Sequence, residues 1–304
     1  MPNTLEDKVA IITGSGRGVG KGVAQLMAKE GAKVLIVDPG VNVDGSGFDQ
    51  SFAQQVADEI NHDGGSAAPC TESVATMDGG ERIIQSAIDN FGRLDIVVTC
   101  AGILRDRMIF NMSEQEWDDV ISVHLKGTFT IVKHASILFR QQRSGRIITF
   151  SSQSGLIGNS GQANYGAAKS GIAGFTKVVA KDLGRYGVTA NSIAPSASTR
   201  MITSVPDEAR QLRSARGIVG GSQLRGEAEE IAPFVTWLAS DQSQHVNGRI
   251  FHVTNGLISL LNEPAPIRTI NKATPWTVEE LIRVFPTTIG IELHNPAPAP
   301  PPTT

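Results

Sequence analysis

Tyr165 and Lys169 stand four residues apart in Tyr165-Gly166-Ala167-Ala168-Lys169, a spacing that places a phenol and an ammonium on one face of a helix. A free phenol ionises near pH ~10, too high for a base at neutral pH, and an adjacent positive charge favours the phenolate and lowers that value. Ser152 lies 13 residues before the tyrosine, in Ser151-Ser152-Gln153-Ser154-Gly155, where its hydroxyl can donate to a substrate oxygen as charge develops there. Such a set suits proton exchange with a secondary alcohol or its ketone. A tyrosine and lysine at this spacing are ordinarily a surface pair, so it is the conjunction with other features that carries the chemistry.

Those features begin near the N-terminus. Thr13-Gly14-Ser15-Gly16-Arg17-Gly18-Val19-Gly20 follows an apolar run and feeds a helical pattern, so that Gly14, Gly18 and Gly20 let the backbone approach a pyrophosphate while the helix amides and dipole receive it. Asp38 ends the second apolar run, 24 residues after Gly14, where a carboxylate accepts from both hydroxyls of an adenosine ribose and repels a 2′-phosphate. NAD is therefore expected over NADP, with Arg17 as the residue able to offset that repulsion. Asp38 also starts the turn into Pro39-Gly40, a reading compatible with the first.

The elements that must position these groups alternate along the chain. Val9–Ile12, Val34–Val37, Ile96–Thr99, Arg146–Phe150, Val188–Ile193 and Ile250–Val253 are short apolar runs separated mostly by segments with helical spacing. Strands apolar on both faces imply a parallel sheet covered by helices on each side: a single-domain, Rossmann-like, doubly wound α/β fold of about seven strands up to residue 256. Ser113-Glu114-Gln115-Glu116 is a capping box opening a helix that runs on toward Arg143. The catalytic domain is expected over 1–260, with an extension over 261–304 that holds a short amphipathic helix within 274–285 and ends in a Pro-rich tail. That helix has three possible uses: to cover a pocket, to meet a partner subunit, or to shield the sheet edge.

Composition excludes several classes. The 304 residues carry 27 Lys and Arg against 30 Asp and Glu, a net charge of −3 that offers no broad field for a nucleic acid. No apolar run approaches a membrane span, and Met1–Asp7 lacks a signal pattern, so a reducing, cytoplasmic setting is expected. Cys70 and Cys100 lack metal-ligand spacing and are expected to be inert, and the six histidines are scattered, so no metal site is anticipated.

Together, the Gly-rich turn, Ala101-Gly102 after the fourth strand, Ser152 and Tyr165-x-x-x-Lys169 resemble the short-chain dehydrogenase/reductase family over about residues 7–256. The resemblance implies that Tyr165 is the general acid/base, that Lys169 lowers its pKa and binds the nicotinamide ribose, and that Ser152 orients the reacting group. It implies further cofactor contacts from Val19, Cys100, Ala101, Gly102, Pro195, Ala197 and Thr199. Glu72, with Ser73 and Val74, stands where an acidic residue meeting adenine is common. The family's catalytic asparagine reads His124 here, whose imidazole either substitutes in the proton relay or packs. Ala101–Arg107, His124, Gly161–Tyr165 and Ile193–Ala197 with Arg200-Met201 are similar to the branch formed by (3R)-hydroxyacyl-CoA dehydrogenase units of peroxisomal multifunctional enzyme type 2, also described as 17β-hydroxysteroid dehydrogenase type 4.

The implied reaction is hydride transfer between NAD and a 3-hydroxyacyl-CoA in fatty-acyl or steroid side-chain breakdown. Alternatives are an NADPH-dependent 3-oxoacyl-acyl-carrier-protein reductase and a non-catalytic dinucleotide sensor. The segment from Thr199 to Leu224 is expected to form a substrate lid. Its arginines, Arg200, Arg210, Arg213 and Arg216, with Arg225 just beyond, either meet CoA phosphates or form a solvated face. A homodimer or homotetramer is implied by the resemblance.

Overall fold

The computed structural model describes residues 3–196, 227–254, 256–293 and 295–296. Contacts divide the chain into two compact units, Met1–Leu261 and Asn262–Thr304. In the first, β1 (Val9–Thr13) leads through the Gly-rich turn into α1 (Gly18–Lys29), followed by β2 (Lys33–Val37), α2 (Ser51–His62), β3 (Ser66–Cys70) and α3 (Met77–Phe91). After β4 (Ile96–Thr99) come α4 (Glu114–Ile121), a π-helical turn (Ser122–Lys126) and α5 (Gly127–Gln142). Then follow β5 (Gly145–Phe150), the short α6 (Gln153–Leu156), α7 (Ala163–Gly184), β6 (Val188–Pro195), α8 (Ala232–Ala239), β7 (Ile250–Thr254) and β8 (Leu257–Leu260).

The strands form one sheet in the order β3-β2-β1-β4-β5-β6-β7-β8. Seven are parallel; β8, beyond the expected number, pairs antiparallel with β7. Its Leu257-Ile258-Ser259-Leu260 is too short and too exposed to carry a buried-strand pattern. β3 contains Pro69 and sits at the opposite edge, where a missing ladder donor is tolerated.

Alternation along each strand divides the core. Ile12, Ile36, Val98, Ile148 and Ile193 face one side with Val23, Met27, Val235 and Leu238 from α1 and α8. Ile11, Leu35, Val97 and Ile147 face the other with Ile83, Ile131, Phe139 and Leu183 from α3, α5 and α7. Both faces are covered, so the strands are mostly apolar in either direction, and buried polar side chains such as Arg146, Thr149 and Asn191 are hydrogen-bonded. Ser113 and Glu116 form the expected capping box of α4, and the helix does run on to Gln142, interrupted by the π-turn that bears His124.

The second unit holds α9 (Val278–Val284), opened by a capping box between Thr277 and Glu280. The Lys272 ammonium bonds the Glu280 carboxylate at 2.6 Å and lies 5.2 Å from the Trp276 ring centroid. Among the described residues, no helix is long and apolar enough to cross a membrane.

Candidate active site

Strand order reverses between β1 and β4, and a crevice opens at the carboxyl ends of the strands around that point, where doubly wound sheets receive ligands. Its volume is about 1080 Å³, and it runs from the Gly-rich turn to Tyr165.

At the first end, backbone geometry makes room for a phosphate-bearing ligand. Gly18 has φ +57° with open space where a Cβ would point. A Cβ on Gly20 would lie 2.3 Å from the Gly14 carbonyl oxygen, so the first turn of α1 packs on the loop only as glycine. These observations fit a dinucleotide, whose pyrophosphate Gly14–Gly20 would hold at the start of α1. Asp38 bridges this turn and its own loop: one oxygen accepts from Gly16 N at 3.0 Å and the other from Gly40 N at 2.8 Å. A carboxylate has lone pairs beyond those two for ribose hydroxyls.

Arg17 lines the same end of the crevice. Its guanidinium stacks 3.8 Å above the Phe52 ring and donates to the Val41 carbonyl at 2.5 Å. The loop after β2 is thereby drawn over the crevice, where Val43 O also accepts from Leu104 N at 2.8 Å. This strap had no periodicity to reveal it in sequence. Val19, Ser73, Val74, Cys100, Ala101, Gly102 and Pro195 also line the crevice. Glu72 does not: it points away to pair with Arg82 at 2.8 Å, and that guanidinium holds its carboxyl below the usual range. Ala197, Thr199 and the arginine-bearing lid segment lie outside the described residues.

At the other end stand Ser152, Tyr165 and Lys169. Ser152 caps α6, its oxygen accepting from Ser154 N at 3.2 Å, and its side chain hydrogen-bonds Tyr165. With its oxygen engaged by an amide, the serine can present its proton to a substrate oxygen. Lys169 is buried on α7, donating from Nζ to Phe150 O at 2.6 Å, with Nζ 5.6 Å from the Tyr165 ring centroid.

Burial pushes Tyr165 up to about 12, outweighing the Ser152 hydrogen bond that opposes it. The lysine's nearest oxygen is the Phe150 carbonyl, and burial lowers Lys169 itself to about 8. Both shifts have the same origin, the cost of carrying charge in a dry pocket.

His124 is buried, edge-on to Tyr165 with ring centroids 5.1 Å apart. Its Nε2 sits 2.8 Å from Ile103 O and 3.1 Å from Ile103 N, so the imidazole braces the loop after β4. Protonated on Nε2, it donates to that carbonyl; Nδ1 then has no hydrogen-bond partner among the described residues. Burial, followed by the nearby Lys169 charge, lowers its pKa to about 3. A Cβ on Gly102 would fall 2.2 Å from His124 Cε1, so the glycine after Ala101 is what admits the ring.

The thiols are buried or half-buried and free. Burial raises both. Sequence reasoning gave no role to Ser154 or Asn159, and Asp106 and Gln162 entered only as part of a resemblance, although these four are joined by hydrogen bonds beside Ser152. Polar residues in loops carry no periodic signal.

A crevice shaped for a dinucleotide that ends in a Ser–Tyr–Lys set, with the lysine buried, defines an oxidoreductase acting on CH–OH groups with a nicotinamide dinucleotide. A family model described as Enoyl-(Acyl carrier protein) reductase matches residues 14–258. A crystal structure of a short chain dehydrogenase from Mycobacterium avium superposes with TM-score 0.81 at 39% identity, covering 98% of each chain. Peroxisomal multifunctional enzyme type 2 of Mus musculus is 38% identical over 86% of this chain, which spans only 33% of that protein. The 3-oxoacyl-acyl-carrier-protein reductase FabG of Vibrio cholerae is 37% identical over 83% of this chain and 98% of its own length. The chain belongs to the short-chain dehydrogenase/reductase family.

Proposed function

We propose that this protein oxidises (3R)-3-hydroxyacyl-CoA thioesters to 3-oxoacyl-CoA with NAD. The observation that carries the reading is one cavity joining the Asp38 end to the Ser152–Tyr165–Lys169 end. Asp38 favours an adenosine ribose with both hydroxyls free, and the Arg17 guanidinium is bonded to Val41 O and stacked on Phe52. The sequence resemblance to the (3R)-hydroxyacyl-CoA dehydrogenase branch, carried by Ala101–Arg107, His124 and Gly161–Tyr165, supports a CoA thioester as substrate.

A bound oxidised nicotinamide supplies the hydride acceptor and a positive charge. Tyr165 takes the proton of the substrate hydroxyl as the carbon loses hydride, while Ser152 donates to the same oxygen and holds it in place. The Lys169 ammonium, with the cofactor's charge, offsets the burial that keeps the phenol protonated. In the reverse direction that burial serves the reaction, since a phenol that retains its proton is ready to donate it to a carbonyl. His124, tied to Ile103 through Nε2, has Nδ1 left to accept a hydrogen bond in the relay serving Lys169.

A second reading, reduction of a 3-oxoacyl-acyl-carrier protein with NADPH, draws on the full-length match to the Vibrio cholerae reductase. Exposed Phe129 and Ile137 on α5 and Val178 on α7 favour a homo-oligomer in either case.

The deciding experiment follows reduced-cofactor formation from a (3R)-hydroxyacyl-CoA with NAD and with NADP, using Tyr165→Phe as blank. NAD-dependent turnover, with the variant at least about 10²-fold slower and still binding NAD, is expected. Preference for NADP favours the reductase. Oxidation of free hydroxysteroids but not CoA esters keeps the chemistry and discards the substrate.

A further inference from the structure

Behind Ser152 a run of hydrogen bonds passes through the Ser154 backbone amide and then through side chains. Ser154 N donates to Ser152 Oγ at 3.2 Å, and Ser154 Oγ donates to Gln162 Oε1 at 2.8 Å. Asn159 Nδ2 donates to the same Gln162 oxygen at 2.9 Å, and Gln162 Nε2 donates to Asp106 Oδ2 at 2.9 Å. A carboxylate only accepts, so Asp106 selects one orientation of the Gln162 amide. Turning the amide over would set its NH2 against that of Asn159 and its oxygen against the carboxylate.

Asp106 is held from both sides. Arg105 O accepts from Asn164 Nδ2 at 3.0 Å, and Arg107 N donates to Gly161 O at 2.8 Å. Asn164 is fully buried, and its Oδ1 accepts from Tyr165 N at 2.8 Å, so one short stretch registers both Asp106 and the tyrosine.

We propose that Asp106 is a positioning residue for the reaction, acting through Gln162 and Ser154 to fix the Ser152 hydroxyl against the substrate oxygen. The inference rests on the dehydrogenase reading of this site. It adds to that reading a residue that does not line the cavity and that neither the Ser–Tyr–Lys pattern nor the Gly-rich turn points to.

The carboxylate also acts by its charge. Tyr165 is surrounded by Lys169 on its own helix, His124 on the π-turn, Cys100, Arg105, Asp106 and Arg107 from the end of β4 and the loop after it, and Glu116 and Asp119 on α4. Arg105 pairs with Asp119 at 3.2 Å and Arg107 with Glu116 at 2.8 Å. Asp106 is the charged side chain whose field opposes ionisation of the phenol. Removing that charge moves the ionisation to lower pH.

The test compares wild type, Asp106→Ala, Asp106→Asn and Ser154→Ala with (3R)-hydroxydecanoyl-CoA and NAD. Asp106→Ala and Ser154→Ala are each expected to lose roughly 10-fold to 100-fold in kcat, as a displaced reacting group does. KM and the calorimetric Kd for NAD should stay within about twofold, marking a loss confined to the transition state. Asp106→Asn keeps an acceptor and drops the charge; it should restore most of kcat and shift the pH profile of kcat/KM to lower pH. Wild-type kcat in Asp106→Ala, or a loss confined to KM, overturns the proposal. Should that variant fail to fold, Ser154→Ala decides alone, and wild-type kcat there overturns it equally. Tyr165 is one of only two tyrosines, so carbon-labelled tyrosine NMR reads its environment without substrate. An unchanged Tyr165 signal in Asp106→Ala sinks the positioning role, whereas a wild type inactive on every secondary alcohol sinks the dehydrogenase reading itself.

Discussion

His124 is a base placed where it cannot carry charge. Burial and the Lys169 ammonium lower its pKa from 6.5 to about 3, so the folded protein binds the imidazole proton more weakly than the unfolded chain does. The stability linked to this group is complete above the unfolded value and is lost as pH falls from about 6.5 toward 3, at up to about 1.4 kcal/mol per pH unit. We expect urea unfolding followed between pH ~7 and ~5 to show this slope in wild type and a shallower one in His124→Asn. Equal slopes would mean that the ring charges without unfolding. Tyr165 behaves in the opposite sense: with its pKa raised from 10.0 to about 12, its contribution is present below the unfolded value and lost as pH rises through that window. The turnover experiment with Tyr165→Phe belongs to this scale too, because it removes one oxygen and leaves the ring against His124. Both residues were singled out by type and spacing. Their protonation was not legible, since it depends on burial summed over neighbours distant in the chain.

At the scale of elements, the site depends on how α1 meets the turn that precedes it. Gly20 on the first turn of α1 packs against the Gly14 carbonyl so closely that Gly20→Ala must push the helix away. Overpacking of this kind costs about 1–3 kcal/mol. The variant is expected to bind NAD at least about tenfold more weakly by calorimetry, with the far-ultraviolet spectrum of the sheet and helices retained. Wild-type affinity would show that the turn relaxes without loss. The strand–turn–helix order was legible because it is local. The π-turn within the helix from Glu114 to Gln142 was not: the extra residue there places His124 against Ile103, a contact between segments 21 residues apart. The strap after β2 likewise follows from the stacking of Arg17 on Phe52 rather than from any periodic pattern.

For the whole molecule, every described residue lining the crevice lies at or before Glu229, inside the unit that ends at Leu261. A chain ending at Leu261 is expected to melt cooperatively and to bind NAD within about threefold of the full chain. Loss of binding would give the C-terminal unit a part in the site. The sheet itself was largely readable, because strands buried on both faces are mostly apolar and seven of the eight are parallel, most with a clear apolar run. β8 escaped because an exposed edge strand is specified by pairing with β7, not by its own residues. By itself, the sequence determined what rests on short-range spacing: the α/β class, the glycine turn at the start of α1, the carboxylate ending β2, and a tyrosine one helical turn from a lysine. Only the tertiary structure decided what long-range contacts and burial control. It turned Glu72 away from the crevice, assigned one His124 nitrogen to Ile103, raised the pKa of Tyr165, and linked Asp106 to Ser152 through Gln162 and the Ser154 amide, groups that meet only when the loops after β4 and β5 are brought side by side.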